Sequence, residues 1–210
     1  MRLRIEVTTR AAELPWDQVL RPGRGLVYNL LAESAPELGA RLHNDRWGPH
    51  RMVPFGHGAP TFPKARRRPG VYTTGGPGYI ELGSPISGMT EAWLDALSGE
   101  TILDWGGTAM RIRGLTPIPA PRFPTGRAEF RTATPVVIRP LVPHSSDNLL
   151  PYEEGFTAAL EHNLRRKAET LDLDPDIGLD RITWIGAKRS FTTRRVIPIV
   201  VSGRRRSVIV

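Results

Sequence analysis

Apolar and polar residues alternate from the start of the chain. Leu3, Ile5 and Val7 are separated by Arg4 and Glu6 within residues 1–9, the period of a strand with one buried face. After Pro15 the period lengthens: Leu26, Val27, Leu30 and Leu31 fall at helical spacing, and Pro22 suits the first turn of that helix. Residues 34–44 predict a second short helix, with Ser34 placed to cap it, Pro36 and Glu37 in its first turn, and Leu38 and Leu42 at i and i+4. Residues 50–70 lack a clear period and predict a ragged strand over 52–55 followed by a basic loop. Residues 71–74 and 79–82 flank Gly75-Gly76-Pro77-Gly78 and predict a hairpin. Trp93, Leu94 and Leu97 mark a short amphipathic helix over 90–97. Residues 101–104 and 109–113 predict another hairpin around Gly106-Gly107.

Residues 115–126 hold four prolines, which exclude a helix or a central strand and predict a linker. Beyond it the order begins again. Residues 128–139 predict a strand, and residues 151–171 a helix whose apolar face is Phe156, Ala159, Leu160, Leu164, Ala168 and Leu171. Strands follow over 182–187 and 196–201, and residues 206–210 are apolar again. Each half therefore opens strand–helix–strand–strand. The expected fold class is α+β, with two tandem ferredoxin-like (βαββαβ) domains, the second incomplete at its C-terminal end. The expected division is a first domain over 1–116, a Pro-rich linker over 117–126 and a second domain over 127–210.

Composition sharpens this picture. A chain of 210 residues with 40% hydrophobic side chains can bury a real core, whereas Gly 21 and Pro 20 favour many short elements over a helical bundle. The absence of cysteine excludes disulfides, thiolate catalysis and thiolate–zinc sites. The first residues lack the pattern of a secretory signal, and no apolar run is long enough to span a bilayer, so the expected location is cytoplasmic and no membrane partner is expected.

Charge adds a direction. Lys and Arg number 29 against 21 Asp and Glu, a net charge of +8. Residues 181–210 hold eight basic side chains (Arg181, Lys188, Arg189, Arg194, Arg195, Arg204, Arg205 and Arg206) and no acidic one, so the rest of the chain balances. Lys64, Arg66, Arg67 and Arg68 form a second knot. One such cluster is explained by a solvated face. Two, biased to arginine, suit a polyanion, because the guanidinium fork pairs bidentately with phosphate oxygens.

Several motifs exclude chemistries. Gly75-Gly76-Pro77-Gly78 lacks the Lys-Ser/Thr of a phosphate-binding loop, and Gly83-Ser84-Pro85-Ile86-Ser87-Gly88 has the wrong spacing for a nucleophile elbow. His43, His50 and His57 recur every seven residues, but Gly48, Pro49, Pro54 and Gly56 keep them off a common helix face, and the segment offers only Asp45 as a carboxylate, which argues against a metal site. The other histidines are His144 and His162. His43 is the one placed for chemistry, just past an apolar helix, beside a Gly/Pro-rich loop and near Arg46 and Arg51. An imidazole there can give or take a proton near neutral pH. RNA carries its own nucleophile, the 2′-hydroxyl, so a histidine, a tyrosine and cations suffice to cut it.

The ordered set Gly25-Leu26-Val27-Tyr28-Asn29-Leu30-Leu31, Leu38-Gly39-Ala40-Arg41-Leu42-His43 and Met52-Val53-Pro54-Phe55 resembles the CRISPR-associated endoribonucleases that process repeat RNA. The likeness continues through Gly78-Tyr79-Ile80-Glu81-Leu82, residues 84–97, Thr134-Pro135-Val136-Val137 and Asn163-Leu164-Arg165-Arg166-Lys167. The resemblance implies two ferredoxin-like domains and metal-independent cleavage of repeat RNA to guide RNA, leaving a 2′,3′-cyclic phosphate and a 5′-hydroxyl. By the same resemblance His43 is the catalytic histidine and Tyr28 the catalytic tyrosine, while Arg51 or His50 stands at a third position often held by Lys. No cofactor is implied. RNA contacts are expected from Lys64, Arg66, Arg67, Arg68, Lys188, Arg189, Arg194, Arg195, Arg204, Arg205 and Arg206, and further partners from other effector-complex subunits or a second copy of the chain. Where the family carries a final helix and a Gly-rich segment, this sequence ends. That departure and the third position keep open an alternative, a catalytically silent RNA-binding subunit of a CRISPR ribonucleoprotein complex.

Overall fold

The computed structural model describes residues 1–121, 123–124, 126–130, 138–141, 148–150, 152–180, 182–184 and 199–200. The chain divides into two compact units, Met1–Trp47 with Arg51–Pro121, and Gly48–His50 with Arg122–Val210.

In the first unit the elements run β1 (Arg2–Thr8), β2 (Glu13–Leu14), a single 3-10 turn at Trp16–Gln18, α1 (Arg21–Ser34), α2 (Pro36–Asn44), β3 (Gly56–His57), β4 (Tyr72–Thr73), β5 (Gly78–Gly83), α3 (Ser87–Leu97), β6 (Ile102–Trp105) and β7 (Thr108–Ile118). Five strands form an antiparallel sheet in the order β3-β5-β1-β7-β6. The alternation of β1 buries Leu3, Ile5 and Val7, and Ile80, Leu82, Leu103, Trp105 and Met110 join the same core. Over it lie Val27, Leu30 and Leu31 of α1, Leu42 of α2, and Met89, Trp93 and Leu97 of α3. Each fully buried Leu or Ile contributes roughly 1.5–3 kcal/mol, so the unit is held by this one cluster.

Several expected elements take a different form. Residues 71–74 do not pair with 79–82. β4 instead pairs with β2 in the register Glu13↔Thr73 and Leu14↔Tyr72, while β5 pairs with β1 and β3. The Gly75-Gly76 turn, with φ of 145° and 68°, carries the chain from one ribbon to the other. The strand expected over 52–55 is displaced to Gly56–His57, because Pro54 has no N–H to give a ladder. Met52 makes only an isolated bridge to Trp47. Ser34 does not cap α2. It ends α1, and its hydroxyl reaches Leu30 O (3.0 Å) and Ala92 O (2.6 Å), which ties α1 to α3. The helix expected over 90–97 begins at Ser87. β7 continues through Pro117 to pair with β1 (Leu3↔Pro117); β6 stops at the pair Ile102↔Arg111, so this stretch is an edge and tolerates proline.

The second unit holds α4 (Phe156–Thr170), β8 (Thr183–Trp184) and β9 (Ile199–Val200), the two strands antiparallel. α4 starts at Phe156 rather than 151, after Gly155 with φ 83°, while the Glu153 carboxylate accepts the Leu150 N–H at 2.7 Å. Phe156 and Ala159 pack with Ile138 and Leu150, and Ile138 bridges Leu149. After α4 the chain is held to it where Arg165 Nε donates to Ile177 O (3.0 Å) and Glu161 accepts the Leu179 N–H (2.8 Å). Of the strand expected over 128–139, the described residues include the Ile138 bridge to Leu149, and residues 131–137, 185–198 and 206–210 lie outside the described residues. The protein is thus a mixed α+β chain. Among the described residues no helix is long and apolar enough to cross a membrane.

Candidate functional site

Tyr28 follows the buried Val27 in α1, at the border of the apolar stripe, and lies half-buried against the core. His43 stands in the last turn of α2, one residue past the fully buried Leu42, which turns its imidazole outward. The two helices meet at Ala35, and the rings meet edge to face with centroids 5.8 Å apart at 86°. Phe55 packs on the other side of Tyr28 (5.5 Å, 82°) and against the buried Trp93 (6.4 Å, 89°). Four rings therefore run from core to surface, each oriented by the last, and His43 is the outermost. Edge-to-face pairs of this kind contribute about 0.5–1.5 kcal/mol each beyond their buried area.

Cations surround this end. The Arg24 guanidinium stands 5.7 Å from the centre of the Tyr28 ring, one helical turn before it. The loop after α2 is closed by paired backbone hydrogen bonds between Trp47 and Met52 (2.9 and 3.0 Å). Arg41 covers the Trp47 ring at 4.7 Å. Arg51 holds φ 49°, in the left-handed region, and its Nη2 donates to Asn44 O at 3.4 Å, one residue along from His43. Among the described residues, no hydrogen bond engages the Tyr28 hydroxyl or the His43 ring. An imidazole and a phenol placed side by side can exchange protons with a bound oxygen, and the guanidinium groups can hold the charge of an anion.

Of the residues expected from the sequence, Tyr28 and His43 come together in the first unit, and Arg51 of the same unit reaches the carbonyl of Asn44, the residue after His43. His50 groups with the second unit, where its Nε2 meets the Glu169 carboxylate. Lys64, Arg66, Arg67 and Arg68 are exposed, and Arg68 pairs with Glu13 at 2.7 Å. Lys188, Arg189, Arg194, Arg195, Arg204, Arg205 and Arg206 lie outside the described residues, as does His144; His162 is exposed on α4. No group of three or more His, Cys, Asp or Glu suited to a metal ion occurs among the described residues. Arg24 was not anticipated, although its signal was available: it lies four residues before Tyr28 in a helix, the spacing that brings side chains together. His57 is a different kind of histidine. It faces the core side of the sheet, its ring lies 6.4 Å from Trp105, its Nδ1 is buried without a partner, and burial holds its pKa below the ordinary value.

The architecture of the first unit is that of an α+β protein whose antiparallel sheet is covered by helices α1, α2 and α3 and which carries a surface Tyr–His pair. No family model matches the chain, and no curated protein matches it. Solved structures do. The chain is similar to a CRISPR associated protein Cas6, at 20% identity and a TM-score of 0.64 over 95% of this chain and 84% of that one. It is also similar to a RAMP protein described as binding different RNA substrates, at 14% identity and a TM-score of 0.70 over 96% and 85% of the two chains. A third likeness is to a Cas6-related protein from Pyrococcus furiosus, at 13% identity and a TM-score of 0.67 over 96% and 84%. At these identities the shared property is the fold.

Proposed function

We propose that this protein belongs with the CRISPR-associated repeat-RNA endoribonucleases and cleaves repeat RNA at the Tyr28–His43 pair. The observation that carries the reading is the edge-to-face contact of these two rings, at the solvent end of an aromatic chain anchored on Trp93. The residues carrying the sequence resemblance are the ones that form it. The fold shared with a CRISPR associated protein and with an RNA-binding RAMP protein supports the same reading.

In the proposed reaction the 2′-hydroxyl oxygen attacks the adjacent phosphorus and loses its proton. The P–O5′ bond breaks, and the leaving oxygen gains a proton. The products are a 2′,3′-cyclic phosphate and a 5′-hydroxyl. His43 and Tyr28 handle the two proton transfers, and Arg51, with Arg24, neutralises charge developing on the non-bridging oxygens. A guanidinium does not release its proton near neutral pH, so Arg51 serves only as a cation. Lys64, Arg66, Arg67 and Arg68, with the basic residues of the C-terminal thirty, hold backbone phosphates. RNA hairpins are then recognised mainly by shape and backbone. Both units are read as ferredoxin-like, divided near residues 117–126; support comes from the first unit, where β1–α1–β3–β5–α3–β7 with sheet order β7-β1-β5-β3 is the split-βαβ arrangement.

The second reading, an RNA-binding subunit without cleavage, is favoured by the third position, where Arg51 cannot act as a proton donor. The two separate on one substrate. Labelled RNA carrying the direct repeat of the source genome, incubated in EDTA, should give a fragment ending in a 2′,3′-cyclic phosphate, and a single 2′-deoxy nucleotide at the cut should abolish cleavage. Bound but intact RNA supports the silent subunit; fragments with a 3′-hydroxyl and a 5′-phosphate contradict the mechanism.

A further inference from the structure

Trp16 is out of keeping with its surroundings. It is 40% exposed, yet its indole is fixed at both ends. Nε1–H donates to Gly70 O at 2.7 Å, and the ring meets Tyr72 edge to face at 5.6 Å and 82°. Tyr72 is fixed in turn, because its hydroxyl donates to Pro60 O at 2.7 Å and its strand pairs with β2, whose Leu14 is buried. A large apolar ring held open to water by a hydrogen bond and an aromatic contact is preorganised rather than loosely exposed.

The basic knot stands beside it. Phe62 is buried, Ala65 packs on the core, and the Ala65 N–H bonds Phe62 O at 3.1 Å, so the segment leaves the surface at a defined point. The basic segment is brought to the aromatic pair where Gly70 O accepts the Trp16 Nε1–H and where Arg68 reaches Glu13 on β2, the strand paired with that of Tyr72. Burial, the largest influence, raises the Tyr72 hydroxyl above the usual phenol range, with a Thr61 hydrogen bond and the Arg67 charge opposing it. Arg68 is taken by Glu13. Lys64, Arg66 and Arg67 are exposed and form no ion pair among the described residues.

We propose that Trp16, with Lys64, Arg66 and Arg67, is a second RNA contact in the first unit that takes an unpaired nucleotide, the base stacking on the indole and the flanking phosphates lying on the three cations. Sequence-tolerant stacking beside a backbone-tracking cationic strip is the recognition mode of single-stranded nucleic acid. An acidic peptide would use the cations and leave the fixed indole without a role. The contact deepens the RNA-processing reading and rests on it, since it assumes that RNA is the partner.

Binding is compared for the full chain with two labelled repeat RNAs, a blunt hairpin and the same hairpin with a short single-stranded extension. Trp16→Ala should weaken binding of the extended RNA about 5- to 150-fold, the effect of losing one stacked base, and leave the blunt hairpin unchanged. Trp16→Phe should recover most of the loss. Replacing Arg66 and Arg67 together by Ala should flatten the salt dependence more for the extended RNA than for the blunt hairpin. Equal loss on both RNAs, no loss on either, or a preference of the wild type for polyglutamate over the extension overturns the proposal. Failure of the wild type to bind either RNA is a separate result, which overturns the RNA-processing reading itself.

Discussion

Tyr28 answers two demands with one ring. Its carbon edge and face complete the packing of Phe55 and orient His43, while its hydroxyl reaches the surface. Tyr28→Phe separates them. The ring contacts persist, so the urea midpoint should hardly move, whereas cleavage should fall about 100-fold if the hydroxyl takes part in proton transfer. Tyr28→Ala should also cost about 1–2 kcal/mol of stability, roughly half the range for a fully buried aromatic. Equal rates for Tyr28→Phe and wild type remove the tyrosine from the chemistry. His57 makes the opposite prediction. Burial lowers its pKa, so the unfolded chain binds the proton more readily. Its contribution is complete above the ordinary histidine value of about 6.5 and is lost as pH falls below that value and through the lowered one. Urea unfolding should therefore show stability falling as pH drops below about 6.5, with a shallower fall for His57→Gln. Of the proposed pair, His43 was legible in the sequence from its place just past an apolar helix beside basic residues, and Tyr28 only through the family resemblance. Arg24 and the special state of His57 were not, since one needs a helix face and the other a burial value.

At the scale of elements, α1 approaches the sheet through Gly23. A Cβ built there would lie 2.2 Å from His57 Nδ1 and 2.6 Å from its Cγ, so the whole ring, and not only its tip, would have to move. Gly23→Ala gains up to about 1 kcal/mol in helix propensity but forces an overpacked contact, and a net loss of about 1–2 kcal/mol is expected in urea unfolding. In a His57→Ala background the same substitution should be neutral or stabilising. A loss of the same size in both backgrounds would place the strain elsewhere. Strand β1, helix α1 and the β6–β7 ribbon followed from period and turn residues alone. The partner of β4 did not: Gly75-Gly76-Pro77-Gly78 announces a turn, yet which strands pair is settled by distant residues, here Glu13 and Leu14. Ser34 misled for a related reason. Its hydroxyl found a carbonyl 58 residues away, Ala92 O, instead of the N-terminus of the next helix.

For the whole molecule, the net excess charge that suggests a polyanion lies in the last thirty residues, while the Tyr–His pair lies in the first unit. On the proposed reading most phosphate contacts lie away from the Tyr–His pair, so a substitution at the pair should alter cleavage without altering RNA affinity. The most direct test is the single-turnover rate on saturating repeat RNA in EDTA, wild type against His43→Ala, with binding measured on the same samples. Loss of one proton-transfer group should slow cleavage about 10²- to 10⁴-fold with affinity unchanged. An unchanged rate at equal affinity would contradict the assignment of cleavage to the Tyr28–His43 pair.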